Sequence, residues 1–240
     1  MKTLGFSTGA LAKGDFFAGI ELQRHSGVNA VELSALRESE VDNLVNALDD
    51  LDLAAFTYIS FHAPSRLHEM TEADLVQRLH QVAERNWPIV VHPDIIQSPS
   101  RWRALGSSVL IENMDQRKGG SRTASDLEAV FAELPEARFC FDAGHARQVD
   151  PTMSIAANLL LRYGDRLSEI HLSEVNTDCR HVSITAMTIL AFRRIASLVP
   201  AEIPVILESM VHQDGIAQEI ELAHRCFAHD ESAKWRSMVG

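Results

Sequence analysis

Pro88-Ile89-Val90-Val91-His92 is a run of apolar, mostly β-branched residues that ends abruptly on a histidine. Apolar and polar residues do not alternate in it, as they would in a strand with one wet face. A continuous apolar run fits a parallel strand covered on both faces. Pro204-Val205-Ile206-Leu207-Glu208 has the same form and ends on a glutamate. Working outward from this pair, short strand-like runs recur along the whole chain. The reading predicts eight strands, at residues 4–8, 30–33, 58–62, 89–92, 109–112, 138–142, 169–172 and 205–208.

Helical patterns lie between most of these runs. Val41, Leu44, Val45, Leu48 and Leu51 form a stripe of period 3.6, predicting a helix over 41–51. A helix over 71–85 opens with Thr71 and Asp74 in capping-box spacing, and one over 125–134 opens with Ser125 and Glu128. Amphipathic patterns predict further helices over 153–161, 186–198 and 216–227. The segment 98–106 is short, so its helix should be truncated. Strands alternating with helices imply a parallel sheet with right-handed crossovers. Eight such units imply closure, and no Gly-rich dinucleotide turn follows the first strand to suggest an open sheet. The expectation is an α/β fold, a single-domain (β/α)8 TIM barrel over residues 1–240. Barrels of this kind run to about 250 residues.

Composition narrows the function classes. The chain is 46% hydrophobic, ordinary for a globular protein, and its formal net charge is −11. That charge weighs against broad nucleic-acid binding, although bound cations would offset it locally. No stretch is long and apolar enough to cross a membrane, and Met1-Lys2-Thr3-Leu4 lacks the layout of a signal peptide. Cys140, Cys179 and Cys226 are scattered and odd in number, which fits a reducing, cytoplasmic compartment. The tail 232–240 is expected to be loose. His25, His80, His224 and His229 are read as structural or solvent-exposed, and Cys140 as a buried small hydrophobe.

The strand ends carry the chemistry. A barrel assembles its active site at the C-terminal ends of its strands. There the sequence places Glu32, His62, His92, Glu112, Asp142, His171 and Glu208, with His145 just beyond Asp142 and His181 ten residues after His171. Carboxylates and imidazoles are ligands for zinc, manganese and related ions. Gathered on one rim without a cation, they would repel one another and desolvate badly.

In order along the chain, Phe61-His62-Ala63-Pro64, Val91-His92-Pro93, Ile111-Glu112-Asn113, Phe141-Asp142-Ala143-Gly144-His145, Ile170-His171-Leu172 and Leu207-Glu208-Ser209 resemble the xylose isomerase-like TIM barrel superfamily. That group includes sugar isomerases and epimerases and the endonuclease IV nucleases. The resemblance implies that Glu112, Asp142, His171 and Glu208 hold a common metal. It implies that His62 and His92, with a bridging Glu112, hold a second. His145 and His181 match ligands of a third, whose remaining ligand position is occupied here by Cys179. The implied cofactor is one to three divalent ions, zinc or manganese. The glycines usual after His181 are replaced by Val182-Ser183-Ile184-Thr185.

The function expected first is a metal-dependent isomerase or epimerase of a sugar or sugar phosphate. Glu112 and Glu208 would be acid and base, and His145 would orient a hydroxyl. Glu32 and the arginines Arg180, Arg147 or Arg66 would hold substrate. The alternative is multi-metal phosphoester hydrolysis of the endonuclease IV kind, which uses His62 and His92 more fully. A non-catalytic metal-binding barrel is the third possibility. The partner is thus a small carbohydrate or phosphate ester, and family habit allows a homo-oligomer.

Overall fold

A computed structural model describes residues 2–228. Eight parallel strands lie side by side in chain order: β1 (Leu4–Ser7), β2 (Ala30–Ser34), β3 (Tyr58–His62), β4 (Ile89–Val91), β5 (Val109–Glu112), β6 (Arg138–Asp142), β7 (Leu167–Leu172) and β8 (Val205–Leu207). β8 pairs with β1 through Leu4–Val205 and Phe6–Leu207, so the sheet closes into a barrel. Ile89, Val90 and Val91 are all fully buried, as the two-sided apolar run required. Closure leaves the sheet no free edge.

The surrounding helices are α1 (Thr8–Ala12), α2 (Phe16–Arg24), α3 (Glu38–Ala47), α4 (Glu72–Ala83), α5 (Pro99–Trp102), α6 (Ala124–Glu133), α7 (Ala143–Val149), α8 (Ser154–Tyr163), α9 (Ala186–Arg193) and α10 (Ile216–Phe227). The main apolar core lies between strands and helices, and Leu44, Leu75, Leu79, Trp102 and Leu159 are fully buried in it. Val90, Leu110 and Cys140 form a separate apolar cluster. α5 is one turn long, as its short connection demanded.

Several helix boundaries differ from the sequence reading for identifiable reasons. α6 is capped two residues earlier than expected, by Thr123 instead of Ser125. Thr123 Oγ1 accepts from Asp126 N (3.2 Å), and Asp126 Oδ2 accepts from Thr123 N (3.0 Å). α3 begins at Glu38 because the Glu40 carboxylate accepts the Arg37 N–H. Beyond α9 the chain tightens into a 3-10 turn, Ala196–Leu198, in place of one long helix. α1, α2 and α7 were not anticipated, nor was a small antiparallel hairpin of Glu174–Val175 with His181–Val182. The tail 232–240 and His229 fall outside the described residues. No helix among the described residues is long and apolar enough to cross a membrane.

Two features position the rim. α7 starts directly at the end of β6, where Asp142 Oδ1 accepts from His145 N (2.7 Å). Asp142 therefore caps a helix with one oxygen and leaves Oδ2 for other work. Gly144 lets this helix sit against the segment that leaves β7 for the hairpin. A Cβ there would lie 2.8 Å from Val175 Cγ2 and 2.9 Å from Ser173 O.

Candidate metal centre

Eight side chains meet at the C-terminal mouth of the barrel. They form three overlapping donor groups: His62, His92 and Glu112; Glu112, Asp142, His171 and Glu208; and Asp142, His145 and His181. Glu112 links the first two. Its Oε2 faces His92 Nε2 (3.0 Å) and His62 Nε2 (3.3 Å), while its Oε1 faces His145 Nδ1 (3.3 Å) and His171 Nδ1 (3.6 Å). The two oxygens of one carboxylate thus serve different sets of histidines.

The backbone and neighbouring side chains fix which nitrogen each histidine presents. His62 Nδ1 lies 2.7 Å from Ala63 O, so Nδ1 carries the hydrogen and Nε2 is turned to Glu112. His145 Nδ1 lies 3.0 Å from Asn113 O, which leaves its Nε2 as the lone-pair nitrogen. His171 Nε2 donates to Glu169 Oε1 (2.9 Å) and Glu32 Oε2 (3.0 Å), so Nδ1 is the free lone pair. Such partners select a ligand's tautomer and raise its basicity. Tyr58 in turn donates to Glu169 Oε2 (2.6 Å). The hairpin delivers His181, whose Nδ1 is 2.9 Å from Ser173 Oγ and 3.3 Å from Glu208 Oε2. Glu219 on α10 steadies the strand leaving the hairpin by accepting from Ile184 N (2.9 Å) and the Ser183 hydroxyl.

Burial and charge pull these groups in opposite directions. Burial would raise the Glu112 carboxyl, but His92 and the neighbouring histidines hold it well below its ordinary range. Burial lowers His62 and His145, yet Glu32 and Glu112 lift the first to about 9, and Asp142 and Glu112 lift the second to about 10. Glu208 rises to about 8, chiefly by burial, with Asp142 and Glu112 adding to it. His181 falls to about 3 through burial and its proximity to His145. Without a metal, protons must do the work of neutralising the cluster.

The donors fit a divalent cation. Six of the ten buried side-chain N and O atoms without a hydrogen-bond partner among the described residues lie here. They are both Glu112 oxygens, Asp142 Oδ2, Glu208 Oε2, His171 Nδ1 and His92 Nδ1. Buried polar atoms are normally satisfied, and a cation held by the five of these atoms other than His92 Nδ1 would satisfy them; His92 presents Nε2 to the cluster instead. The mixed imidazole and carboxylate set suits zinc, manganese or iron.

Not every anticipated residue lines the cavity, although Glu32 also lies within donor reach of His62 and His171. His62, His92, Glu112, His145, His181 and Glu208 line a cavity of about 480 Å³, whereas Glu32 lies below it, fully buried against His171. Arg147 pairs with Glu174, Arg180 is exposed, and neither lines the cavity. Arg66 does line it. Cys179 belongs to no donor group among the described residues. Its left-handed backbone (φ 56°) turns with Asn176, and its Sγ accepts from Gln148 Nε2 at 3.0 Å.

Glu169, Tyr58 and Asn113 escaped the sequence reading. Asn113 stitches β5 to β6 by donating to Asp142 O (2.8 Å) and accepting from Asp142 N (2.9 Å). Glu169 was detectable by strand alternation, because it sits two residues before His171 and so shares its face. Glu169→Gln should weaken metal affinity by roughly 10- to 100-fold, the usual cost of losing a carboxylate behind a histidine ligand. Competition with a chromogenic chelator measures this, and unchanged affinity would remove Glu169 from that role.

No protein-family model and no curated protein sequence matches the chain. Its architecture does match solved structures. Endonuclease IV from Thermus thermophilus superposes with a TM-score of 0.62 at 19% identity, covering 93% of this chain and 98% of that one. A xylose isomerase domain protein from Alicyclobacillus acidocaldarius gives 0.64 at 13%, covering 95% and 98%. The 3-keto-D-glucoside 4-epimerase of E. coli gives 0.56 at 15%, covering 95% and 100%. At these identities the likeness establishes architecture alone: the chain folds as a single (β/α)8 barrel, as these three proteins do.

Proposed function

We propose that this chain is a divalent-metal-dependent hydrolase of small phosphate esters that works with two or three ions. The observation that supports it most is the placement of Glu112, with one oxygen toward His62 and His92 and the other toward His145 and His171. A single-ion site built on Glu112, Asp142, His171 and Glu208 has no use for His62 and His92 as donors. When bound, the ions would supply an activated water and neutralise charge developing on the phosphoryl oxygens and the leaving oxygen.

The chain's own residues do the positioning. Glu112 sets the spacing between the first two donor groups, and Asn113 ties it to the strand that carries Asp142. His181 is held neutral, so its lone pair is available at neutral pH. Asp142 and His171 are fully buried, so bulk water is excluded from the floor of the site. A cavity of about 480 Å³ suits a small molecule better than a duplex.

A sugar isomerase or epimerase is the second reading, favoured by one observation. Glu112 Oε1 and Glu208 Oε1 lie 3.6 and 3.5 Å from His171 Nδ1, and their surroundings drive their protonation in opposite directions. Two carboxylates so separated are suited to taking a proton from one carbon and returning it.

Metal analysis of purified protein, joined to a substrate panel, separates the two. The expected result is two or three ions per chain and chelator-sensitive hydrolysis of small phosphate monoesters. One ion per chain with interconversion of ketoses and no hydrolysis would overturn the hydrolase in favour of the isomerase.

A further inference from the structure

The mouth of the cavity is charged unevenly. Five of the chain's 22 Lys and Arg residues line it, although the protein as a whole carries −11. Two of the five are already neutralised. Arg117 Nε donates to Asp115 Oδ2 (2.7 Å), and Lys118 pairs with Asp94. The other three are Lys13, Arg37 and Arg66, which follow β1, β2 and β3 in turn. Arg37 touches Glu40 only at 3.4 Å with its side chain 75% exposed. Lys13 and Arg66 have no ionic partner among the described residues. Around His145 and His181, the Lys or Arg that lines the cavity is Arg117, which Asp115 already holds. Lys13 also holds a left-handed backbone (φ 56°), a conformation that costs free energy in a residue with a side chain.

We propose that Lys13, Arg37 and Arg66 form an anion subsite for a second phosphate or carboxylate on the substrate, remote from the group that reacts at the donor cluster. The inference rests on the hydrolase reading and adds a substrate class: a small molecule with two anionic groups at opposite ends. The reacting phosphoryl group lies over the Glu112 floor, and the distal group lies against the wall of β1–β3 loops. Guanidinium and ammonium groups recognise such a group by charge-assisted hydrogen bonds.

The test is calorimetric titration of the metal-loaded protein with inorganic phosphate and with the bisphosphates of propane-1,3-diol and hexane-1,6-diol. At least one bisphosphate should bind ten times or more tighter than phosphate. In the triple variant Lys13→Gln/Arg37→Gln/Arg66→Gln that ratio should fall toward one while the metal count per chain stays the same. No bisphosphate advantage in the wild type, or an advantage that survives in the triple variant, overturns the subsite. Phosphate binding that is equally strong in the presence of chelator overturns the hydrolase reading instead.

Discussion

Glu112→Ala is expected to cost the protein more than one metal ion per chain and to reduce turnover by at least ~10²-fold. Replacing a carboxylate that only supports a ligand already costs roughly 10- to 100-fold in affinity or activity. Glu112 is a donor itself, and it belongs to two groups at once. Its loss leaves His62 and His92 as a pair without an anion and reduces the Asp142–His171–Glu208 group to three donors. His92→Ala, by contrast, touches only the group with His62 and Glu112, and should cost a single ion. Glu112→Gln keeps the shape and loses the charge, so it should behave like the alanine variant in metal content but not in packing. Elemental analysis of the three variants, normalised to protein and checked for folding by circular dichroism, reads this directly. If Glu112→Ala and His92→Ala lose the same number of ions, Glu112 does not bridge.

Much of the barrel was legible before any coordinates. The strands Tyr58–His62, Val109–Glu112 and Arg138–Asp142 coincide with the sequence reading residue for residue. Each is a largely apolar run bounded by turn-forming or polar sequence, and burial on both faces leaves few polar positions to blur the pattern. α7 was hidden because Ala143-Gly144-His145-Ala146-Arg147-Gln148-Val149 has no apolar stripe and carries a glycine in its first turn. It is helical because Asp142 caps it and the barrel covers Ala143 and Ala146. Tertiary context, not propensity, decides such a segment.

The donors were legible for a related reason. A histidine or carboxylate closing an apolar strand has only the mouth of the barrel to face. Residues in loops give no such guarantee. Arg147, Cys179 and Arg180 stand next to donors in sequence, yet Glu174 takes Arg147 and an Asn176-centred turn carries Cys179 to Gln148. Glu32 is the middle residue of β2, two positions short of its end, so it sits one layer lower and reaches His171 from beneath. The division of labour between the two oxygens of Glu112 could not be read from sequence at all, because it depends on where four other strands place their histidines.

Metal removal should give the protein a pH-dependent stability that the loaded form lacks. In the metal-free fold, His62 and His145 are raised to about 9 and about 10, above an ordinary value of 6.5. The folded state then holds more protons than the unfolded chain, and its advantage is complete below pH 6.5. It is lost as pH rises through 9 and 10. Glu208, raised to about 8 from 4.5, acts in the same direction over a lower window. His181 has the opposite sign. Lowered to about 3, it favours the folded state above pH 6.5 and withdraws that support as pH falls toward 3. The metal-free protein should therefore be most stable mildly below neutrality and weaken steadily from pH 6.5 to 9. For a domain of this size, each ~1 kcal/mol lost over that range lowers Tm by roughly 2–4 °C. Bound ions replace these protons, because histidine and carboxylate must be deprotonated to act as ligands. Their stabilisation adds to that of the fold, so the gap between loaded and chelated protein should widen as pH rises. Thermal unfolding at pH 6, 7, 8 and 9, with chelator or with excess zinc or manganese, measures both slopes. A chelated protein whose Tm is flat or rises between pH 6.5 and 9 would show that protons do not neutralise this cluster, and the charge argument for its metals would fall with it.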